Sequence, residues 1–106
     1  MKVFTQSVNF KADADLIKFA EKKVSGLEKF HDKIVDVEVF LKVQKTSDKE
    51  NKITEIKINI PGNELIVKKV AKTFEEGVST GVESLKRQLG KSKEKSKEKR
   101  KDSLVS

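Results

Sequence analysis

Apolar positions recur along this chain with two different periods, and the switches between them outline the fold. Phe74, Val78, Val82, Leu85 and Leu89 recur at steps of four, four, three and four, which places them on one face of a helix. Thr73 followed three residues later by Glu76 forms a capping box that marks where this helix starts. A second helix is predicted from Ala14 to Phe30, with Asp13 as its N-cap. Leu16, Ile17, Phe19, Ala20, Val24, Leu27 and Phe30 share one broad arc of its wheel.

The remaining segments alternate with period two. Ile34 to Lys45 sets Val35, Val37, Val39, Leu41 and Val43 on one side and Asp36, Glu38, Phe40, Lys42 and Gln44 on the other. Lys52 to Ile60 turns Ile56, Ile58 and Ile60 inward after the polar loop TSDKEN. Pro61-Gly62-Asn63 signals a turn into a third strand of the meander, Glu64 to Val70. Lys2 to Phe10 alternates loosely, with Phe4, Val8 and Phe10 on one side, and reads as a strand. The predicted fold is α+β, in the order β-α-β-β-β-α. A mostly antiparallel four-stranded sheet carries two helices packed on one face and leaves the other face to solvent. Gly77 and Gly81, at the edge of an apolar helical face, imply close approach of the first helix.

Charge changes the picture at the C-terminal end. Residues 1–90 hold 17 Lys/Arg against 14 Asp/Glu, and residues 91–106 hold seven against three, so +4 of the formal charge of +7 lies in the last 16 positions. Seven of the eleven positions from Lys91 to Lys101 are basic, and no apolar residue interrupts them. The division expected is an α+β domain over 1–90 and a basic tail over 91–106, either a helix extension or disordered. Such a tail favours a polyanion, because each neutralised phosphate releases counterions; a purely solubilising tail is the other reading. On the first helix, Lys18, Lys22, Ser25 and Lys29 form a basic stripe opposite the apolar arc, with Glu21 and Glu28 on its flank.

Composition narrows the chemistry. With 106 residues and 35% hydrophobic content the chain suits one small domain. It has no cysteine, so disulfides and thiolate chemistry are excluded. No run approaches the roughly 20 apolar residues of a membrane span and the start lacks a signal-peptide pattern, so a cytoplasmic location is expected, with no membrane partner. His31, the only histidine, falls where the first helix ends and suits a capping or packing role. Asp13 with Asp15, and Glu75 with Glu76, sit in first helical turns, where they complement the dipole. No nucleophile-base pair, metal set or glycine-rich phosphate loop is present, so neither an enzyme nor a cofactor nor a small-molecule substrate is expected. With no Trp or Tyr, and six Phe mostly claimed by the core, few rings remain to stack splayed bases; Phe40 is the candidate. Binding is then expected from Lys and Arg on the phosphates of a structured RNA.

LIKFAEKKVSGLEKF, IVDVEVFLKV, IPGNEL and above all LKRQLGKSKEK resemble the short ribosome hibernation promoting factors, also called ribosome-associated inhibitors or sigma-factor modulation proteins. The last stretch is similar to the family pattern KLERQLRKYKEK. The resemblance implies the same β-α-β-β-β-α fold. It also implies binding to the small ribosomal subunit and its rRNA in the channel used by mRNA and tRNA, with translation inhibited in idle cells. By the same resemblance Lys22, Lys23 and Lys29 match basic positions of the first helix. Arg87, Gln88, Lys91, Lys93 and Lys95 match the second-helix signature, with Lys86 in the same stretch. Lys23 falls inside the apolar arc, so a covered stem and an extended ammonium are expected. Departures are Thr73, Glu75 and Ser79 in a segment where many members read D-x-Y-x-A-I-D. Ser84, Gly90 and Ser92 replace Lys, Arg and Tyr, so some of the family's basic groups are absent and Gly90 is a candidate early end of the helix. Two other readings remain: a double-stranded RNA-binding domain, suggested by Lys68-Lys69-Val70-Ala71-Lys72, and a regulatory protein-binding module.

Overall fold

The computed structural model describes the backbone of residues 2–105 and the side chains of residues 2–90. In order the elements are β1 (Lys2–Val8), α1 (Ala14–Ser25), a 3-10 turn (Gly26–Lys29), β2 (Asp36–Val43), β3 (Lys52–Ile60), β4 (Asn63–Ala71) and α2 (Phe74–Val105). The four strands form one sheet in the order β1-β2-β3-β4. β1 pairs parallel with β2, Lys2 against Asp36 through Val8 against Lys42. A parallel pair needs a crossover, and α1 with its 3-10 turn supplies it. The other two pairings are antiparallel, as the meander predicts.

Local chemistry sets the boundaries. The Leu16 amide donates to Asp13 Oδ1 at 2.8 Å, so Asp13 caps α1. The stretch from Ala14 to Phe30 is not one continuous α-helix: at Gly26 the chain tightens into the 3-10 turn, which still brings Leu27 into the core. His31 Nδ1 accepts from the Lys33 amide at 3.1 Å and fixes the turn that follows. Pro61 and Gly62 form a two-residue connection between Ile60 and Asn63, and Gly62 takes φ +77°, which costs a residue without Cβ little. At α2 the Glu76 amide donates to Thr73 Oγ1 at 3.1 Å, the hydroxyl half of the capping box. Gly90 does not end α2, whose backbone runs on to Val105.

The core lies between the sheet and the two helices. Ala20, Val24 and Leu27 meet Val37, Val39, Leu41, Ile56 and Ile58 from the sheet and Phe74, Val78, Val82, Leu85 and Leu89 from α2, all buried in one cluster. Burying a side chain such as Leu85 contributes about 2 kcal/mol.

Four expectations about facing are corrected. In β1 it is Val3, not Phe4, that packs on the core; Phe4 is 54% exposed on the open face and Phe10, beyond the strand, packs inward. The parallel register decides this, since Val3 aligns with inward Val37 and Phe4 with outward Glu38. Val35 is exposed because β2 begins only at Asp36. The glycines of α2 admit the sheet, not α1: a Cβ on Gly77 would come within 2.5 Å of Thr54 Oγ1, and one on Gly81 within 3.0 Å of Ile56 Cδ1. Of the six phenylalanines only Phe74 is buried. Among the described residues no helix is long and apolar enough to cross a membrane.

Candidate nucleic-acid interface

α1 and α2 lie side by side over the sheet, and the groove between their outer faces gathers lysines. Lys22 and Lys23 from α1 and Lys86 from α2 line a recess of about 390 Å³, together with Phe19, Gly26, Ser79, Val82 and Glu83. Helical spacing explains the convergence. Val24 and Leu85 are fully buried, so Lys23 and Lys86, one position away, fall at the shoulders of the two apolar faces, and Lys22 reaches the recess from the solvent side of α1.

Aromatic rings support two of these cations. Lys23 Nζ sits 5.8 Å from the centroid of Phe19, and Lys86 Nζ 5.2 Å from that of Phe30. Phe30 is 41% exposed, so Lys86 covers a ring that the core leaves out. Lys23 is exposed as a residue and lines the recess at its rim. Lys86 Nζ also lies 3.3 Å from Glu83 Oε1, one turn earlier on α2. Among the described residues Lys22, Lys23 and Arg87 make no ion pair, leaving them open to an external anion.

Arg87 points to the other side of α2. It lines a second, shallower recess with Lys69, Ser79, Thr80, Glu83 and Ser84. α2 therefore forms a ridge with basic groups on both flanks, and Glu83 borders both recesses.

The predicted residues thus divide. Lys22, Lys23 and Lys86 come together, and Arg87 faces the opposite flank. Lys18 and Lys29 are exposed but line neither recess, and Gln88 is half-buried beside them in sequence only. The side chains of Lys91, Lys93 and Lys95 lie outside the described residues. The sequence does not single out Lys69 for this surface, although its parity is readable: it shares the side of β4 that carries Val67 and Ala71, and so faces α2. Phe40 is half-buried on the open face of the sheet, away from both recesses.

Chemically the surface can hold phosphates by charge and by the donors of Lys, Arg, Ser and Thr. Among the described residues no group of three or more His, Cys, Asp or Glu is placed to hold a metal. The family model described as sigma 54 modulation protein / S30EA ribosomal protein matches residues 3–97. Among solved structures, a ribosomal subunit interface protein from Coxiella burnetii is similar at 19% identity and a TM-score of 0.77, covering 88% of this chain and 98% of that one. The N-terminal domain of Protein Y from Thermus thermophilus is similar at 18% identity and a TM-score of 0.74, covering 86% and 98%. At these identities the likeness is one of fold. No curated protein matches the sequence significantly.

Proposed function

The chain belongs to the sigma 54 modulation protein / S30EA ribosomal protein family, and on that footing we propose that it is a ribosome hibernation factor. It binds rRNA of the small ribosomal subunit in the mRNA and tRNA channel, and it inhibits translation by occupying that channel in idle cells. The observation that carries this reading is the family match over residues 3–97, which takes in both helices of the basic ridge. The ridge supplies the means: cations on both flanks of α2 meet phosphates of a folded RNA, and the groove selects backbone shape over base identity.

Residues 1–90 are the ribosome-binding domain in this reading, and the basic run after Gly90 adds charge. Lys22, Lys23, Lys69, Lys86 and Arg87 make the central contacts, with Lys18, Lys29, Gln88, Lys91, Lys93 and Lys95 extending them. The test is sedimentation of the protein with purified subunits at two salt concentrations, followed by antibody because the chain has no Trp or Tyr. Co-migration with the small subunit, reversed by mRNA with tRNA, is the outcome that supports it. Absence of co-migration at low salt overturns it.

A further inference from the structure

The face of the sheet opposite the helices is uncovered, and it is not uniformly polar. Phe4 is 54% exposed, Ile66 57% and Val70 46%, and all three lie on this side. Ile53, although buried, stands outside the core cluster because it belongs to the same outer face, beside Val70. Charged residues are interleaved with these apolar ones. Lys57 Nζ lies 3.8 Å from Glu38 Oε2 and 3.3 Å from Glu64 Oε2, so Lys57 bridges carboxylates on both neighbouring strands.

Strand register converts this face into a grid. Reading from β1 to β4, the first row is Lys2, Asp36, Asn59 and Glu64, and the second Phe4, Glu38, Lys57 and Ile66. The third is Gln6, Phe40, Glu55 and Lys68, and the fourth Val8, Lys42, Ile53 and Val70. From this arrangement we propose that the open face is a self-association surface. Two copies stack there face to face about a two-fold axis parallel to the strands.

Such an axis exchanges β1 with β4 and β2 with β3. Phe4 of one copy then lies over Ile66 of the other, Val8 over Val70, Glu38 over Lys57 and Lys2 over Glu64. In these pairs apolar meets apolar, and each charge meets its opposite. Phe40 over Glu55 and Lys42 over Ile53 are mixed pairs, in which the aliphatic stem of the charged residue covers the apolar one. The alternative axis, across the strands, sets Phe4 on Gln6 and Ile66 on Lys68, so the two most exposed apolar side chains both meet polar ones. Aligned sheets pack about 30° apart, which keeps the central Glu38 and Lys57 in register and moves Phe4 and Ile66 by about 4 Å, less than one strand spacing.

The area sets the strength. Four strands of this length present roughly 400 Å² per copy, about half the contribution to a standard stable interface, so the dimer is weak and transient. The basic ridge stays outside it, and the inference does not depend on the ribosome reading.

Sedimentation equilibrium with interference optics, run up to about 1 mM protein, tests it. The average mass rises reversibly from 12.0 kDa toward twice that value. Replacing Phe4 and Ile66 together by Ser weakens association about tenfold or more, with circular dichroism confirming that the fold is kept. Lys57→Glu also weakens it, and adding Glu38→Lys restores it, because the exchanged charges still face each other. A monomer at every concentration overturns the proposal. So does a dimer that survives these substitutions but disappears on truncation after Gly90, which would place self-association in the basic tail.

Discussion

The ring of Phe10 lies flat on that of Phe74, with centroids 4.8 Å apart and planes 7° from parallel. This stack clips the end of β1 to the first turn of α2. Phe74 is buried, and Phe10 packs on the core from the segment between β1 and α1. Phe10→Ala removes both the stack and the apolar area, and is expected to lower unfolding free energy by about 2 kcal/mol, less than a fully buried Phe because Phe10 is only half-buried. Urea denaturation followed by far-ultraviolet circular dichroism measures it. An unchanged midpoint would mean that the stack contributes nothing.

At Gly77 the backbone of α2 lies close against Thr54 of the sheet. In an open helix Gly→Ala stabilises, but here the added methyl meets the branched Thr54 side chain. Gly77→Ala should destabilise by roughly 1–3 kcal/mol. Thr54→Ala in the same chain removes the obstacle, and the pair should be less destabilised than the sum of the two singles. Strict additivity in a denaturant cycle would show that the close approach is not the cause.

On the basic ridge, Lys22, Lys23 and Lys86 changed together to Gln should weaken small-subunit binding. The slope of log K against log salt should fall by about one for each phosphate left without its cation. The fold should remain, because these side chains are at the rim of the groove. An unchanged slope would move the binding face elsewhere. Lys69→Glu with Arg87→Glu tests the other flank in the same assay.

Glu83 gives the opposite sign. It borders both recesses and holds Lys86, so Glu83→Gln releases that ammonium and removes a like charge from beside the phosphates. Affinity for the small subunit should rise by less than about tenfold, most visibly at low salt. A fall would mean that Glu83 contacts the ribosome itself.

Truncation after Gly90 should leave the thermal midpoint of the domain nearly intact, since the core described in the structure ends at Leu89. Binding should weaken and its salt slope flatten, as seven basic residues are removed. A full-strength slope would make the tail a spectator.

Much of this architecture is legible in the sequence because burial imposes a period. Val78, Val82, Leu85 and Leu89 can be nothing but one helical face, and Ile56, Ile58 and Ile60 one side of a strand. β1 reads wrongly because its alternation is weak: Val3 and Phe4 are both apolar, and only pairing with β2 decides which turns inward. The reason for Gly77 and Gly81 is likewise hidden, since a wheel shows which face is small but not what lies against it. For the candidate interface, Lys22 is visible on the basic stripe, whereas the wheel sets Lys23 inside the apolar arc and only the packing of α1 beside α2 brings it to the recess. The place of Lys69 beside Arg87 depends on how β4 packs under α2, a tertiary relation that the motif from Lys68 to Lys72 does not carry.

The parallel seam between β1 and β2 has a consequence for how the chain assembles. β2, β3 and β4 join through short connections, so their pairing closes small loops at little entropic cost. β1 reaches β2 only across the whole of α1 and its following turn, and it gains full cover only when Phe10 meets Phe74 far along the chain. Folding should therefore nucleate in the meander with α2 and admit β1 late. In native-state hydrogen exchange the amides of β1 would then open first, marking the strand that joins last as the one that leaves first.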